Sequence, residues 1–114
     1  MHPGQTKIRR RIARAVITPA EDGSVTVVLS GELDHEGVAA VETDVHRAVA
    51  LARGALAIDT SDVTFVDSAG LRLILQTQMT ACSRSIDFLM AHPAENVVRL
   101  LKLTGLDDLL DVPR

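Results

Sequence analysis

The residues of this chain best placed to do chemistry lie in Asp67-Ser68-Ala69-Gly70-Leu71. A short apolar run, Ala55-Leu56-Ala57-Ile58, leads into a polar loop at 59–67, and the loop ends in a serine that opens a helix. A helix start leaves backbone N–H groups unpaired and carries a partial positive charge. Ser68 is thereby displayed at a surface, and Gly70 leaves room for close approach by another chain. From spacing alone, the commoner role of such a serine is a plain N-cap. A capping hydroxyl can still be the atom that is modified, so the two roles do not conflict.

Other constellations fall away on their spacing. Val66-Asp67-Ser68-Ala69-Gly70 lacks the first glycine of a G-x-S-x-G nucleophile elbow. No G-x-x-x-x-G-K-[ST] loop is present to cradle a nucleotide. Asp59 and Asp62 suggest an aspartyl-phosphate receiver. That chemistry also needs an acidic pair after the first strand and a lysine after a late one; Glu21 and Asp22 sit in a turn and Lys102 in a helix. His35 and His46 are 11 residues apart on one helix, about 16 Å along the axis, too far to share a metal. Glu42 and His46 read as a surface pair. Cys82 sits on an apolar stripe and reads as a small buried hydrophobe. No catalytic group, metal site or cofactor is expected.

The elements that position Ser68 follow from periodicity and punctuation. Residues 8–18 alternate imperfectly, as an edge strand does, and Glu21-Asp22-Gly23-Ser24 turns the chain into a second strand, Val25 to Leu29. Residues 35–52 form a helix with Val38, Val41, Val45, Ala48, Val49 and Ala52 on its core side, Asp34 as N-cap and Arg53-Gly54 at its end. Residues 55–58 make a central strand. A helix from Ser68 to about Arg84 follows, its face made by Leu71, Ile74, Leu75, Met79 and Cys82. Leu73 points away from that stripe, where an exposed leucine would anchor a partner. Residues 86–90 make another strand. A last helix has Pro93 at its first position, Val97, Leu100 and Leu101 as its stripe, and Gly105 just past it. The order β-β-α-β-α-β-α predicts an α/β fold with a mixed sheet of four to five strands and three or four helices.

The 114 residues make one domain, with a core of about 8–110. Only Phe65 and Phe88 are aromatic, so there is no platform on which nucleic-acid bases could stack. Five of the 12 bases fall in residues 7–14, which leaves 7 bases against 15 acids and a net charge of −8 elsewhere. Such a surface repels phosphate backbones and suits a basic protein partner. The basic run 7–14 protects a sheet edge from pairing with other chains. One cysteine and no long apolar run point to a cytoplasmic protein, off the membrane and without nucleic acid.

Asp67-Ser68-Ala69-Gly70-Leu71, with Ser30-Gly31-Glu32-Leu33-Asp34-His35 before it and the helix from Val97 to Leu106 after it, resembles the anti-sigma factor antagonists, whose fold is the STAS domain. Three motifs occur in the right order between about residues 12 and 110. The resemblance implies a bacterial partner-switching cycle that regulates transcription by a sigma factor, as in sporulation or stress response. The unphosphorylated antagonist binds an anti-sigma factor that is itself a serine kinase. The kinase phosphorylates the serine after the aspartate, here Ser68, and the complex falls apart. A phosphatase of the PP2C type resets it. By the same match Asp34, His35, Asp67, Ala69, Gly70, Arg72 and Leu73 line the partner surface of a monomer or weak dimer. Ala69 stands where many relatives have a second hydroxyl residue, leaving Ser68 the sole acceptor of the motif. The chain stops near the point where relatives continue into a final helix, so that helix is not expected. The alternative on the same fold is a STAS module that senses a ligand or scaffolds a transporter or signalling assembly.

The switch itself needs no family. A phosphate adds about −1.5 to −2 charges at neutral pH. A helix N-terminus would partly accommodate them and leave the fold intact. Asp67 and Asp34 would repel them. Repulsion plus desolvation of roughly 3 kcal/mol at an interface weakens binding on the order of 100-fold.

Overall fold

The computed structural model describes residues 12–108 and 110. Along the chain lie β1 (Arg14–Pro19), β2 (Val25–Leu33), α1 (His35–Leu51), β3 (Ala55–Val66), α2 (Ser68–Ser83), β4 (Asp87–Ala91) and α3 (Glu95–Leu103). The four strands form one sheet in the order β1-β2-β3-β4, with β1 antiparallel to β2 and the other two pairs parallel. The order expected from the sequence is the order found, with four strands and three helices. The basic residues at 7–11 lie outside the described residues.

The alternation of β2 is strict, and it decides how the sheet is covered. Val25, Val27, Leu29, Gly31 and Leu33 are buried, while the residues that alternate with them are half-exposed. With Leu56, Ile58 and Met90 they share one core with Val41, Val45 and Ala48 of α1, Ile74 of α2, and Val97 and Leu101 of α3. α1 packs on β1, β2 and α2, and α3 packs on β3. Asp22 shapes the hairpin turn. Its carboxylate accepts from the Ser24 hydroxyl at 2.7 Å and the Ser24 amide at 2.9 Å, which holds its pKa below the ordinary value.

Residues 59–66 are strand, not the polar loop that their composition suggests. β3 runs 12 residues and pairs with β2 to its end at Leu33↔Val66. Its alternation is hidden by two register shifts. Between Val28↔Asp59 and Ser30↔Asp62, and again between Gly31↔Val63 and Glu32↔Phe65, β3 advances one residue more than β2. Each bulge resets which side chains face inward. The Asp59 carboxylate supports the first by accepting from the Ser61 amide at 2.9 Å and its hydroxyl at 2.7 Å. Thr60 is fully buried there and accepts from the Ala94 amide at 3.4 Å, while the Asn96 amide group donates to the Val63 carbonyl at 3.2 Å. The start of α3 is thus fastened to the bulged half of β3. Pro93 precedes the N-cap, Ala94, instead of occupying the first helical position.

α2 is turned relative to the stripe read from its large apolar residues. Gly70, Leu71, Leu73, Ile74, Thr77 and Ala81 are the buried positions. Leu73, expected to be exposed, is only 2% accessible; Met79 and Cys82, expected in the core, are exposed. Gly70, Thr77 and Ala81 share the inner face with Leu71, Leu73 and Ile74. The Thr77 hydroxyl meets its need for a partner locally, donating to the Leu73 carbonyl at 2.7 Å.

Candidate functional site

The parallel pairing of β2 with β3 brings two helix starts side by side. Leu33 pairs with Val66 at the end of the ladder, so the next residues, Asp34 and Asp67, leave the sheet together. Both take extended backbone and both cap a helix. The Asp34 carboxylate accepts from the Gly37 amide at 2.8 Å. The Asp67 carboxylate accepts from Ala69 at 2.9 Å and Gly70 at 3.4 Å. The N-cap of α2 is therefore Asp67, and Ser68 is the first helical residue.

The two starts are also packed against each other. The Asp67 amide donates to the Leu33 carbonyl at 3.4 Å. A Cβ on Gly70 would stand 2.6 Å from that same carbonyl oxygen and 2.8 Å from a methyl of Val66. Gly70 is buried, so the close approach it permits is internal, between α2 and the ends of β2 and β3, and it is not open to another chain. Leu73 leaves the candidate surface for the same reason. Asp34, Ala69 and Asp67 are partly exposed, while His35, Ser68 and Arg72 are exposed.

Capping by Asp67 frees the serine. Among the described residues the Ser68 hydroxyl makes no hydrogen bond to the protein, and it projects where a kinase could reach it. Three more residues continue its side of α2. Arg72, Leu75 and Met79 follow at spacings of 4, 7 and 11, which on a helix is one stripe about 16 Å long. Arg72 is exposed, Leu75 is half-buried and Met79 is 66% exposed. Phe65, 48% exposed at the end of β3, lies just before the Asp67 cap in the chain. Exposed apolar groups on this side are Phe65 and, farther along α2, Met79, which the sequence pattern places in the core. The i, i+4, i+7, i+11 series from Ser68 itself was the signal that could have found Met79. No group of three or more His, Cys, Asp or Glu among the described residues is placed to hold a metal ion. No described helix is long and apolar enough to cross a membrane.

Replacing Asp67 with Ala is expected to remove the cap and lower stability by about 1 kcal/mol, read as a lower urea midpoint at unchanged slope. A stability equal to wild type would show that the cap contributes nothing.

A family model described as "Mlab, STAS domain" matches residues 17–111. Among solved structures, an anti-sigma factor antagonist from Mycobacterium paratuberculosis superposes with a TM-score of 0.71 at 28% identity, over 86% of this chain and 82% of that one. The antagonist SpoIIAA in its unphosphorylated form gives 0.68 at 18% identity, over 89% of this chain and 100% of its own. The Bacillus SpoIIAA in its phosphorylated form gives 0.66 at 20% identity, over 83% and 86%. No curated protein sequence matches.

Proposed function

The chain belongs to the STAS domain family, and on that premise we propose that it is an anti-sigma factor antagonist, a binding module without catalysis of its own. In this reading its unphosphorylated form docks an anti-sigma factor serine kinase and so releases a sigma factor. The docking surface is the end of the molecule where α1 and α2 begin, with Asp34, His35, Asp67, Ala69 and Arg72 contributing. The kinase transfers phosphate from ATP to the Ser68 oxygen, and a phosphatase removes it.

The observation that carries this reading is the state of Ser68: exposed, first in its helix, and unengaged because the neighbouring aspartate has taken the capping role. A serine committed to capping would have to give up its hydrogen bond before modification. Here nothing has to break. The surroundings supply the switch, because Asp67 and Asp34 already place two carboxylates at this end of the sheet. The 28% identical antagonist and the two forms of SpoIIAA support the reading by the likeness of their folds.

The test is phosphorylation in vitro. Each anti-sigma factor kinase of the source organism is purified and incubated with the protein and ATP–Mg. One of them is expected to place an acid-stable phosphate on Ser68, mapped by mass spectrometry, and Ser68→Ala is expected to remain unlabelled. Labelling elsewhere, or by none of the kinases, would defeat the proposal and favour a STAS scaffold without a phosphorylation cycle.

A further inference from the structure

We propose that Arg72 is a resident counter-ion for a phosphate on Ser68, a role that rests on Ser68 being the modified residue. The usual receiver of a phosphate at a helix start is the set of unpaired backbone amides. In α2 two of those amides are already taken. Ala69 and Gly70 donate to the Asp67 carboxylate, and Leu71 donates to the Asp67 carbonyl at 3.0 Å. A phosphate on Ser68 therefore finds few donors left in the first turn of its helix, and Asp67 and the start of α1, with Asp34, His35 and Glu36, lie at the same end of the sheet.

Arg72 fits that need in position and in state. It lies four residues after Ser68 on the same face, where the Cβ atoms are neighbours about 5–6 Å apart. Side chains on a helix lean toward its N-terminus, so a long side chain at 72 covers the turn that holds Ser68. Anion first and cation four residues later is the favourable order of such a pair. Arg72 follows the first turn of α2, which has no acidic residue of its own. It is exposed and forms no ion pair among the described residues. A cation without an ion pair, one turn from a free hydroxyl, is placed for an anion that arrives later.

The pairing gives the switch a second component. Phosphorylation adds negative charge to the docking face and also withdraws the guanidinium that the unmodified face offers to a partner. It supplies a donor to a phosphate whose ordinary backbone site is partly occupied.

The experiment uses the full chain with phosphoserine installed at position 68 by genetic code expansion, so that no kinase is involved. The second pKa of the phosphate is followed by 31P NMR in wild type, Arg72→Gln, Arg72→Lys and the remote control Arg99→Gln. A nearby guanidinium favours the dianion and lowers that pKa. Loss of it in Arg72→Gln is expected to raise the value by about 0.2–0.4 pH unit. Arg72→Lys is expected to recover most of the shift, and Arg99→Gln is expected to match wild type. Molar salt is expected to shrink the difference. Equal values in wild type and Arg72→Gln, or an equal rise in Arg99→Gln, would overturn the role of Arg72. That result would leave the modification of Ser68 to stand or fall on the kinase labelling.

Discussion

Gly37→Ala is expected to lower the stability of the fold by roughly 3 kcal/mol, through overpacking at a site that cannot relax. At an exposed position inside a helix, the same change would stabilise by up to about 1 kcal/mol, because alanine is the better helix former and has less freedom to lose. Gly37 is buried in the first turn of α1, and an added Cβ would run into the backbone carbonyl oxygen of Glu32 while standing 3.1 Å from the Ala13 side chain. A carbonyl in β2 is part of the sheet and cannot swing aside as a side-chain end can. The clash therefore outweighs the propensity gain. The start of α1 must move, and with it the Asp34 cap, whose carboxylate accepts from the Gly37 amide itself. For a domain whose whole stability is about 5–15 kcal/mol, the loss amounts to a drop of roughly 10 °C or more in melting temperature. Calorimetry of the two proteins checks it, and an unchanged or higher melting temperature would show that α1 can lift away from β2 at little cost.

A phosphate on Ser68 is expected to weaken the complex with the anti-sigma factor kinase on the order of 100-fold. The charge arrives at the first residue of α2, beside the Asp67 carboxylate and at the end of the sheet where Asp34 also emerges. In the free protein the new group is solvated and paired with Arg72. At an interface it must shed water against a surface that was complementary to a neutral hydroxyl. About 3 kcal/mol of repulsion and desolvation corresponds to that fold-change. The scaffold is not asked to move, since the hydroxyl has no hydrogen bond to surrender. Isothermal titration of unmodified and phosphorylated protein reads the change directly, with Ser68→Ala expected to bind as the unmodified chain does.

Much of this arrangement is legible in the residues, and the parts that are not share a physical cause. Asp34 before an amphipathic run announces a cap and is one. The hairpin, the order of the elements and the buried side of α1 follow from turn residues and period. β3 was cut short because Thr60, Ser61 and Asp62 break the alternation, and they break it where extra residues are accommodated as bulges. A bulge keeps the pairing while scrambling the pattern by which strands are recognised. The buried face of α2 differs from its stripe of large apolar residues, because size and hydropathy alone do not decide which side faces inward. Gly70, Thr77 and Ala81 lie on the inner side, with Met79 and Cys82 outside. The same difference removes Leu73 from the partner surface and Gly70 from an intermolecular role. Ser68 and Asp67 were read correctly as neighbours at a helix start, yet which of them caps depends on side-chain geometry that spacing does not carry.

The claim on which the rest depends is that modification of one hydroxyl disables docking while the domain stays folded. Its most direct measurement takes two samples, unmodified and phosphorylated at Ser68, and records both the affinity for the kinase and the thermal melt of each. Affinity lower by about 100-fold, with melting temperatures within a few degrees, is the predicted result. Equal affinities, or an affinity lost only because the phosphorylated chain has unfolded, would contradict it.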